Sequence, residues 1–147
     1  MGLLIQASIM AETDFPITLY HNPDCGTSRN VLAIVQAAGY APTVVEYRKA
    51  GWTRPQLETL LGRLGVSARA LMRDKGTPAE ALGLLEPGVS EDDILEAMIQ
   101  HPILVERPVV ITPRGARICR PHGRVLDLLE RAPERFTRAD GQVIELT

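Results

Sequence analysis

Residues 16–47 read PITLYHNPDCGTSRNVLAIVQAAGYAPTVVEY and decide the fold, because two strand-like segments flank a helix-like one. Residues 16–20 have the β-branched and aromatic character of a strand and lead into an Asn-Pro turn. Apolar residues then recur at helical spacing up to the break at Gly39; they are Val31, Ile34, Val35 and Ala38. A second strand is predicted at residues 43–47. This strand–helix–strand order predicts two parallel neighbouring strands.

The middle of the chain is predicted to be helical, with three helices that each begin at a residue suited to cap a helix N-terminus. These caps are Thr53, Ser67 and Ser90. Two strands follow at residues 108–112 and 116–120, and the Pro-Arg-Gly sequence between them favours a hairpin. A last helix is predicted at residues 124–131.

This order of elements predicts an α/β fold with a mixed β-sheet flanked by helices. A helical insertion separates the strand–helix–strand unit from the C-terminal β-hairpin. The pattern matches the thioredoxin-like plan, in which a reactive thiol follows the first strand at the start of the first helix. We expect one domain at residues 16–132, preceded by a disordered N-terminal extension at 1–15 and followed by a C-terminal tail at 133–147.

The composition excludes several classes of function. The chain has 147 residues, of which 45% are hydrophobic and 23% charged, as is ordinary for a soluble globular protein. Its formal net charge of −2 gives no bulk attraction to nucleic acid or to anionic membranes. No apolar run approaches the roughly 20 residues that cross a bilayer. We therefore expect a cytoplasmic protein with neither a nucleic-acid nor a membrane partner.

The cysteines and histidines do not predict a metal centre. The two cysteines, Cys25 and Cys119, form no disulfide framework, and their separation permits no short zinc-ligand spacing. The three histidines form no pair of ligands on one helix.

Cys25 has the local surroundings of a reactive thiol. A lone cysteine is usually a small apolar residue of the core, but Cys25 lies in a polar, glycine-containing loop between a strand and a helix. Free backbone N–H groups at the helix start favour a thiolate, as would a hydrogen bond from Ser28 or a protonated His21. The carboxylate of Asp24 would oppose ionisation if it turned inwards. For Cys119, within the predicted strand, a buried structural role is expected.

The sequence around Cys25 lacks the motifs of two common classes of thiol enzyme, which narrows the chemistry that Cys25 can perform. A dithiol oxidoreductase has C-x-x-C, but the fourth position here is Ser28. A cysteine phosphatase loop needs an arginine where this chain has Val31. A single thiolate without a local resolving partner requires outside thiols to turn over.

Three arginines are candidates for binding an oxyanion, because a guanidinium offers paired and permanently charged hydrogen bonds. Each lies beside a predicted loop: Arg73 ends a predicted helix, Arg107 precedes Pro108, and Arg120 ends a predicted strand. A lone arginine in such a position is usually a solvated surface charge, and sequence spacing does not show whether these three converge.

Four motifs in order resemble the glutaredoxin-coupled arsenate reductases, the ArsC family. They are HNPDCGTSRN, ALMR, HPILVERPVVIT and ARICRP, and the resemblance extends from about Ile17 to Leu129. It implies a cytosolic enzyme that reduces arsenate to arsenite in arsenic detoxification. Glutathione would be the co-substrate, glutaredoxin the protein partner, and no cofactor would be tightly bound.

The resemblance also implies roles for single residues. Cys25 falls on the family's nucleophile, and His21 on the histidine associated with lowering the nucleophile's pKa. The oxyanion-binding arginines fall on Arg73, Arg107 and Arg120, and Ser28 is expected to take part in substrate binding. The bond between Arg107 and Pro108 matches the cis-proline position of thioredoxin-like folds.

Two other functions remain open from the sequence. One is a general glutathione-dependent thiol reductase on the same fold, without an arsenate site. The other is an Spx-like redox regulator that binds RNA polymerase, a class associated with C-x-x-C where this chain has CGTS. The set of arginines favours arsenate reduction over both.

Overall fold

A four-stranded mixed β-sheet organises the protein, which a computed structural model describes over residues 14–146. The strands are β1 (Thr18–His21), β2 (Thr43–Glu46), β3 (Val109–Thr112) and β4 (Gly115–Ile118), in the order β2-β1-β3-β4. Strand β1 is parallel to β2 and antiparallel to β3, and β3 and β4 form an antiparallel hairpin. The predicted parallel pair, the hairpin and the mixed sheet are confirmed.

Five α-helices surround this sheet within the described residues. They are α1 (Gly26–Ala37), α2 (Tyr47–Ala50), α3 (Arg54–Leu64), α4 (Ala68–Leu71) and α5 (Glu91–Gln100). The predicted caps of α3, α4 and α5 are confirmed. Thr53 and Gln56 form a reciprocal capping box, Ser67 Oγ accepts from Ala70 N at 3.1 Å, and Ser90 Oγ accepts from Asp93 N at 3.0 Å. Helices α2 to α5 form the predicted insertion between β2 and β3.

The sheet separates two hydrophobic cores, because successive residues of a strand face opposite sides. Val109 of β3 joins the core made with the insertion, in which Tyr47, Leu57 and Met98 are fully buried. The next residue, Val110, joins the core on the α1 side. That second core includes Leu19, Val31, Ile34, Val35 and Cys119. Both faces of β3 are therefore covered, which holds the segments on either side of this strand in place.

The last predicted helix is wrong in its type and bounds. A 3₁₀ helix at His122–Leu128 replaces the α-helix predicted at 124–131. The reason is tertiary: Leu128 O accepts a hydrogen bond from the Thr112 hydroxyl at 2.8 Å, and Leu129 O accepts one from Arg114. These bonds hold Leu128 and Leu129 against β3 and the turn after it, where Leu129 is extended and ends the helix.

Residues 133–147, expected as a C-terminal tail, contain a β-hairpin that packs on α1. Its strands are β5 (Arg135–Thr137) and β6 (Val143–Glu145), paired antiparallel. Phe136 of β5 is buried in the α1-side core, and Ala139 N donates to Asn30 Oδ1 at 2.7 Å. This hairpin therefore lies against the first half of α1.

The N-terminal extension expected at residues 1–15 lies almost wholly outside the described residues. Its last residue, Phe15, is buried, and the Phe15 ring centroid lies 5.4 Å from that of Tyr40. Over residues 14–146, no helix is both long and apolar enough to span a bilayer.

Candidate active site around Cys25

Cys25 lies at the N-terminus of α1, as the sequence predicts. It is the N-cap residue in an extended conformation, and its N–H donates to Asn22 O at 3.0 Å. The residue is partly buried. Backbone N–H groups of the first turn have no partners within the helix, and they form the positive end of its dipole. A thiolate at this position therefore lies in a positive electrostatic environment.

Ser28 and His21 form a buried hydrogen bond beneath this loop. Ser28 is fully buried; its Oγ lies 2.6 Å from His21 Nδ1 and accepts from Asn22 N at 3.0 Å. The hydroxyl of Ser28 is thus engaged with strand β1 and the loop. The backbone N–H of Ser28, in contrast, acts on the Cys25 thiol and lowers its pKa.

Burial lowers the pKa of His21 below its ordinary value. The carboxylate of Glu46 opposes this shift, and the charges of Arg29 and Arg48 add to it. His21 is therefore neutral at neutral pH. A protonated imidazole beside the thiol, as the sequence suggests, is disfavoured, and the contact that the structure gives to His21 is with Ser28.

Two of the three predicted arginines lower the pKa of the thiol, and Arg120 also contacts it. Arg120 Nη1 lies 3.5 Å from Cys25 Sγ and donates to Arg107 O at 3.1 Å. Arg107 is 8% exposed, its guanidinium also lowers the pKa of the thiol, and its bond to Pro108 is cis as expected. Arg107 Nε is buried and bonds no partner among residues 14–146. Because an unpaired buried donor is costly, this N–H favours an acceptor bound at the site.

The third arginine, Arg73, is linked to the other two by the carboxylate of Glu106, which the sequence did not predict as a site residue. Glu106 Oε1 lies 2.9 Å from Arg73 Nη1, 3.9 Å from Arg120 Nε and 3.1 Å from Arg107 N. Within the described part of the chain, Arg73 bonds Glu106 and Lys75 O rather than the thiol. Glu106 is therefore the residue that joins the three arginines.

Backbone pairing between two loops brings these groups together. Met72 and Val105 form an isolated antiparallel bridge. Arg73 N donates to Leu104 O at 2.7 Å, and Glu106 N donates to Leu71 O at 2.8 Å. This pairing joins the segment after α4 to the segment before β3. The only sequence signal for Glu106 was its place beside Arg107 in the ERP motif.

The pKa of the Cys25 thiol is below its ordinary value. Burial raises the pKa, but the Ser28 N–H and the guanidinium groups of Arg120 and Arg107 together lower it by more. Asp24 does not oppose them from within, because its exposed carboxylate turns outwards and lies 3.0 Å from Arg48 Nη2. Ionisation of Cys25 is thus favoured by hydrogen bonds and charge rather than by exposure.

Cys119 has the opposite character, as predicted. It is fully buried in the α1-side core, and burial raises its pKa to about 12. Residues 14–146 hold no group of three or more potential metal ligands.

Comparison with known proteins identifies the family. The sequence profile of the ArsC family matches residues 20–128. An arsenate reductase of Synechocystis sp. is 51% identical over 133 residues, covering 90% of this chain and 92% of that protein. An arsenate reductase of Escherichia coli is 45% identical over 129 residues, covering 87% of this chain and 92% of that protein. The solved structure of an arsenate reductase from Vibrio cholerae has a TM-score of 0.74 at 37% identity, covering 78% of this chain and 98% of that one. The chain has the thioredoxin-like fold of these proteins and belongs to the ArsC family.

Proposed function

We propose that this chain is an arsenate reductase in which Cys25 is the nucleophile and Arg73, Arg107 and Arg120 form the oxyanion site. The observation that carries the proposal is the contact of Arg120 with the thiol at 3.5 Å, beside the unpaired buried Nε of Arg107. Family membership supplies the substrate, because the named relatives are arsenate reductases.

In the first step, arsenate binds over the start of α1. Free N–H groups of the first turn and the guanidinium groups of Arg107 and Arg120 offset its charge. The Cys25 thiolate attacks arsenic, so that an S–As bond forms and one As–O bond breaks. With one proton taken up, dihydrogen arsenate and the thiolate give a thio-arsenate adduct and water.

In the second step, glutathione reduces the adduct. Its thiol attacks the Cys25 sulfur, an S–S bond forms, and the electron pair of the S–As bond stays on arsenic. Arsenic passes from the +5 to the +3 state and leaves as arsenite, which takes the glutathione proton. Cys25 and one glutathione supply the two electrons and remain as a mixed disulfide.

In the third step, glutaredoxin removes glutathione from Cys25. Its thiolate attacks the glutathione sulfur, which restores the Cys25 thiolate and moves the mixed disulfide to glutaredoxin. Ser28 occupies the fourth position of the C-x-x-C pattern, and Cys119 is buried in the α1-side core. Neither offers an internal thiol for this step, which supports an external reductant.

His21 and Ser28 are proposed to support the nucleophile from below. Their hydrogen bond of 2.6 Å fixes the loop that precedes α1 and holds Ser28, whose N–H lowers the pKa of the thiol. A neutral His21 suits this role, because it needs no positive charge to hold the Ser28 hydroxyl.

The arginines favour this function over a general thiol reductase. Thiol exchange with glutathione needs a thiolate, which the helix start already favours. It does not need a buried guanidinium with an unpaired N–H, which Arg107 provides. An Spx-like regulator is also disfavoured, since this loop has a serine at its fourth position.

Arsenate-dependent oxidation of NADPH tests the function, in an assay coupled through glutathione, glutaredoxin and glutathione reductase. We expect turnover that depends on arsenate and is lost when either glutathione or glutaredoxin is omitted. Folded protein without arsenate-dependent turnover would overturn the proposal. If turnover persists without glutaredoxin, only the third step is contradicted.

A further inference from the structure

We propose that a cleft beside Cys25 binds the γ-glutamyl end of glutathione, an inference that rests on the proposed use of glutathione. Gly26, Thr27 and Arg29 of α1 form one wall of the cleft. Arg138 and Asp140, in the turn between β5 and β6, form the opposite wall. Neither wall contributes a side chain to the oxyanion site described above.

The C-terminal hairpin is held firmly enough to form a binding wall. Phe136 anchors β5 in the α1-side core, where it is 3% exposed. The turn itself is tied to α1 by the bond of 2.7 Å from Ala139 N to Asn30 Oδ1. The position of Arg138 and Asp140 relative to α1 is thus set by packing and by a partly buried hydrogen bond.

The charges in the cleft match an amino-acid zwitterion. Arg29 is exposed, and Arg138 Nε is buried without a partner among the described residues. Asp140 Oδ2 lies 3.5 Å from Arg138 Nη2 and adds one negative charge. The γ-glutamyl end of glutathione carries an α-carboxylate and an α-ammonium. The two arginines suit the carboxylate, and Asp140 suits the ammonium.

The position of the cleft fits the chemistry at Cys25. Gly26 and Thr27 directly follow Cys25, so the cleft begins within one turn of the nucleophile. A glutathione held by its γ-glutamyl end can therefore direct its own thiol towards the Cys25 sulfur. Positioning of this kind raises the rate at which the glutathione thiol attacks the Cys25 sulfur of the arsenic adduct, without changing a pKa.

Thiol–disulfide exchange tests the cleft without arsenate. Cys25 thiolate attacks glutathione disulfide, forms a mixed disulfide and releases one glutathione thiolate, a reaction that mass spectrometry follows. For the double variant Arg29→Gln/Arg138→Gln we expect this rate to fall about tenfold, since each exposed charge pair contributes modestly. The rate with 2-hydroxyethyl disulfide, which is neutral, is expected to stay unchanged.

A matched control comes from the same hairpin. Arg135 is exposed and pairs with Glu145 outside the cleft, at 3.3 Å, so Arg135→Gln should leave both rates unchanged. Asp140→Asn should slow exchange with glutathione disulfide but not with its N-acetylated form, which lacks the ammonium. The proposal would be overturned if the wild type and the double variant reacted with glutathione disulfide at equal rates. It would also be overturned if the double variant slowed equally with glutathione disulfide and with 2-hydroxyethyl disulfide.

The outcome is separable from that of the proposed function. Protection of Cys25 by arsenate against iodoacetamide should persist in the double variant, because Arg107 and Arg120 are intact. Loss of selectivity for glutathione disulfide with arsenate protection retained would support the cleft. If arsenate does not protect Cys25 in the wild type, the proposed oxyanion site is contradicted. The exchange rates with glutathione disulfide still test the cleft in that case.

Discussion

Cys25 and Cys119 place the same side chain in two regions with opposite effects on a thiol. Burial raises the pKa in both places, and in the core it brings the pKa of Cys119 to about 12. At the start of α1, the Ser28 N–H and two guanidinium groups reverse the effect. Nearby hydrogen-bond donors and positive charge, rather than exposure to solvent, therefore lower the pKa of the reactive thiol.

The largest expected effect separates the two cysteines directly. Cys25→Ser should reduce arsenate turnover about 10,000-fold or more, since removal of a nucleophile leaves only binding and electrostatic effects. Cys119→Ser should retain most of the turnover, because this thiol is buried in the α1-side core. The coupled NADPH assay measures both variants. Equal losses would indicate that both thiols react, which would contradict the distinction between Cys25 and Cys119.

Removal of one hydrogen-bond donor beside Cys25 should make its surroundings more like those of Cys119. Arg120→Gln is expected to lower kcat/KM for arsenate about 100-fold, as for loss of one preorganised oxyanion donor. It should also raise the Cys25 pKa, since Arg120 lowers it. The pH profile of iodoacetamide alkylation measures the pKa change.

Arg117→Gln is the matched control for this variant. Arg117 lies on β4 close to Arg120, is half exposed, and pairs with Asp127 at 3.6 Å. Its replacement should leave kcat/KM and the alkylation profile unchanged. If the two variants behave alike, net charge rather than the contact at the thiol controls the site.

A smaller effect is expected from the carboxylate that joins the arginines. Glu106→Gln weakens its ion pairs with Arg73 and Arg120, so KM for arsenate should rise about tenfold, as expected for partly buried charge-assisted bonds. The maximal rate should change less. Steady-state kinetics give both parameters.

Glu58→Gln, on the exposed face of α3, is the control for Glu106→Gln, because Glu58 pairs only with Arg54 in the described part of the chain. Kinetics of this control should match those of the wild type. A normal KM in Glu106→Gln would show that the arginines hold their positions without the carboxylate.

The pH dependence of the wild-type thiol is the finest test. Cys25 has a lower pKa folded than unfolded, so in the Cys119→Ser background alkylation should reach half its maximum at lower pH in buffer than in urea. By linkage, its stabilising contribution is fully present above the unfolded-state pKa and is lost as the pH falls through the folded-state pKa. A folded midpoint at or above the unfolded one would contradict the environment described for Cys25.

The parts of the fold that the sequence predicts are those with local causes. The start of α1 at Cys25 follows from the strand, turn and apolar spacing around it, and all three predicted caps form. The 3₁₀ helix at His122–Leu128 was missed because its form depends on Thr112, which lies on a different element.

The candidate site also contains residues whose proximity is local in sequence and residues brought together only by the fold. Cys25 and Ser28 share one helix, so their proximity can be predicted from spacing alone. Glu106 could not be recognised, because its partner Arg73 arrives through the backbone pairing of Met72 with Val105. The charge state of His21 depends on burial, which no single stretch of sequence encodes.

The strand order has a consequence for biosynthesis. Strand β1, which leads to the nucleophile, pairs with β3 across the whole helical insertion. During vectorial synthesis Cys25 therefore emerges from the ribosome well before Arg107 and Arg120, and until β3 docks its sulfur lacks both guanidinium groups. The nascent chain carries an ordinary thiol, and the lowered pKa arises only when the β3–β4 hairpin, which lies between Arg107 and Arg120, is in place. The rate at which Cys25 is alkylated therefore reports whether the native sheet is complete.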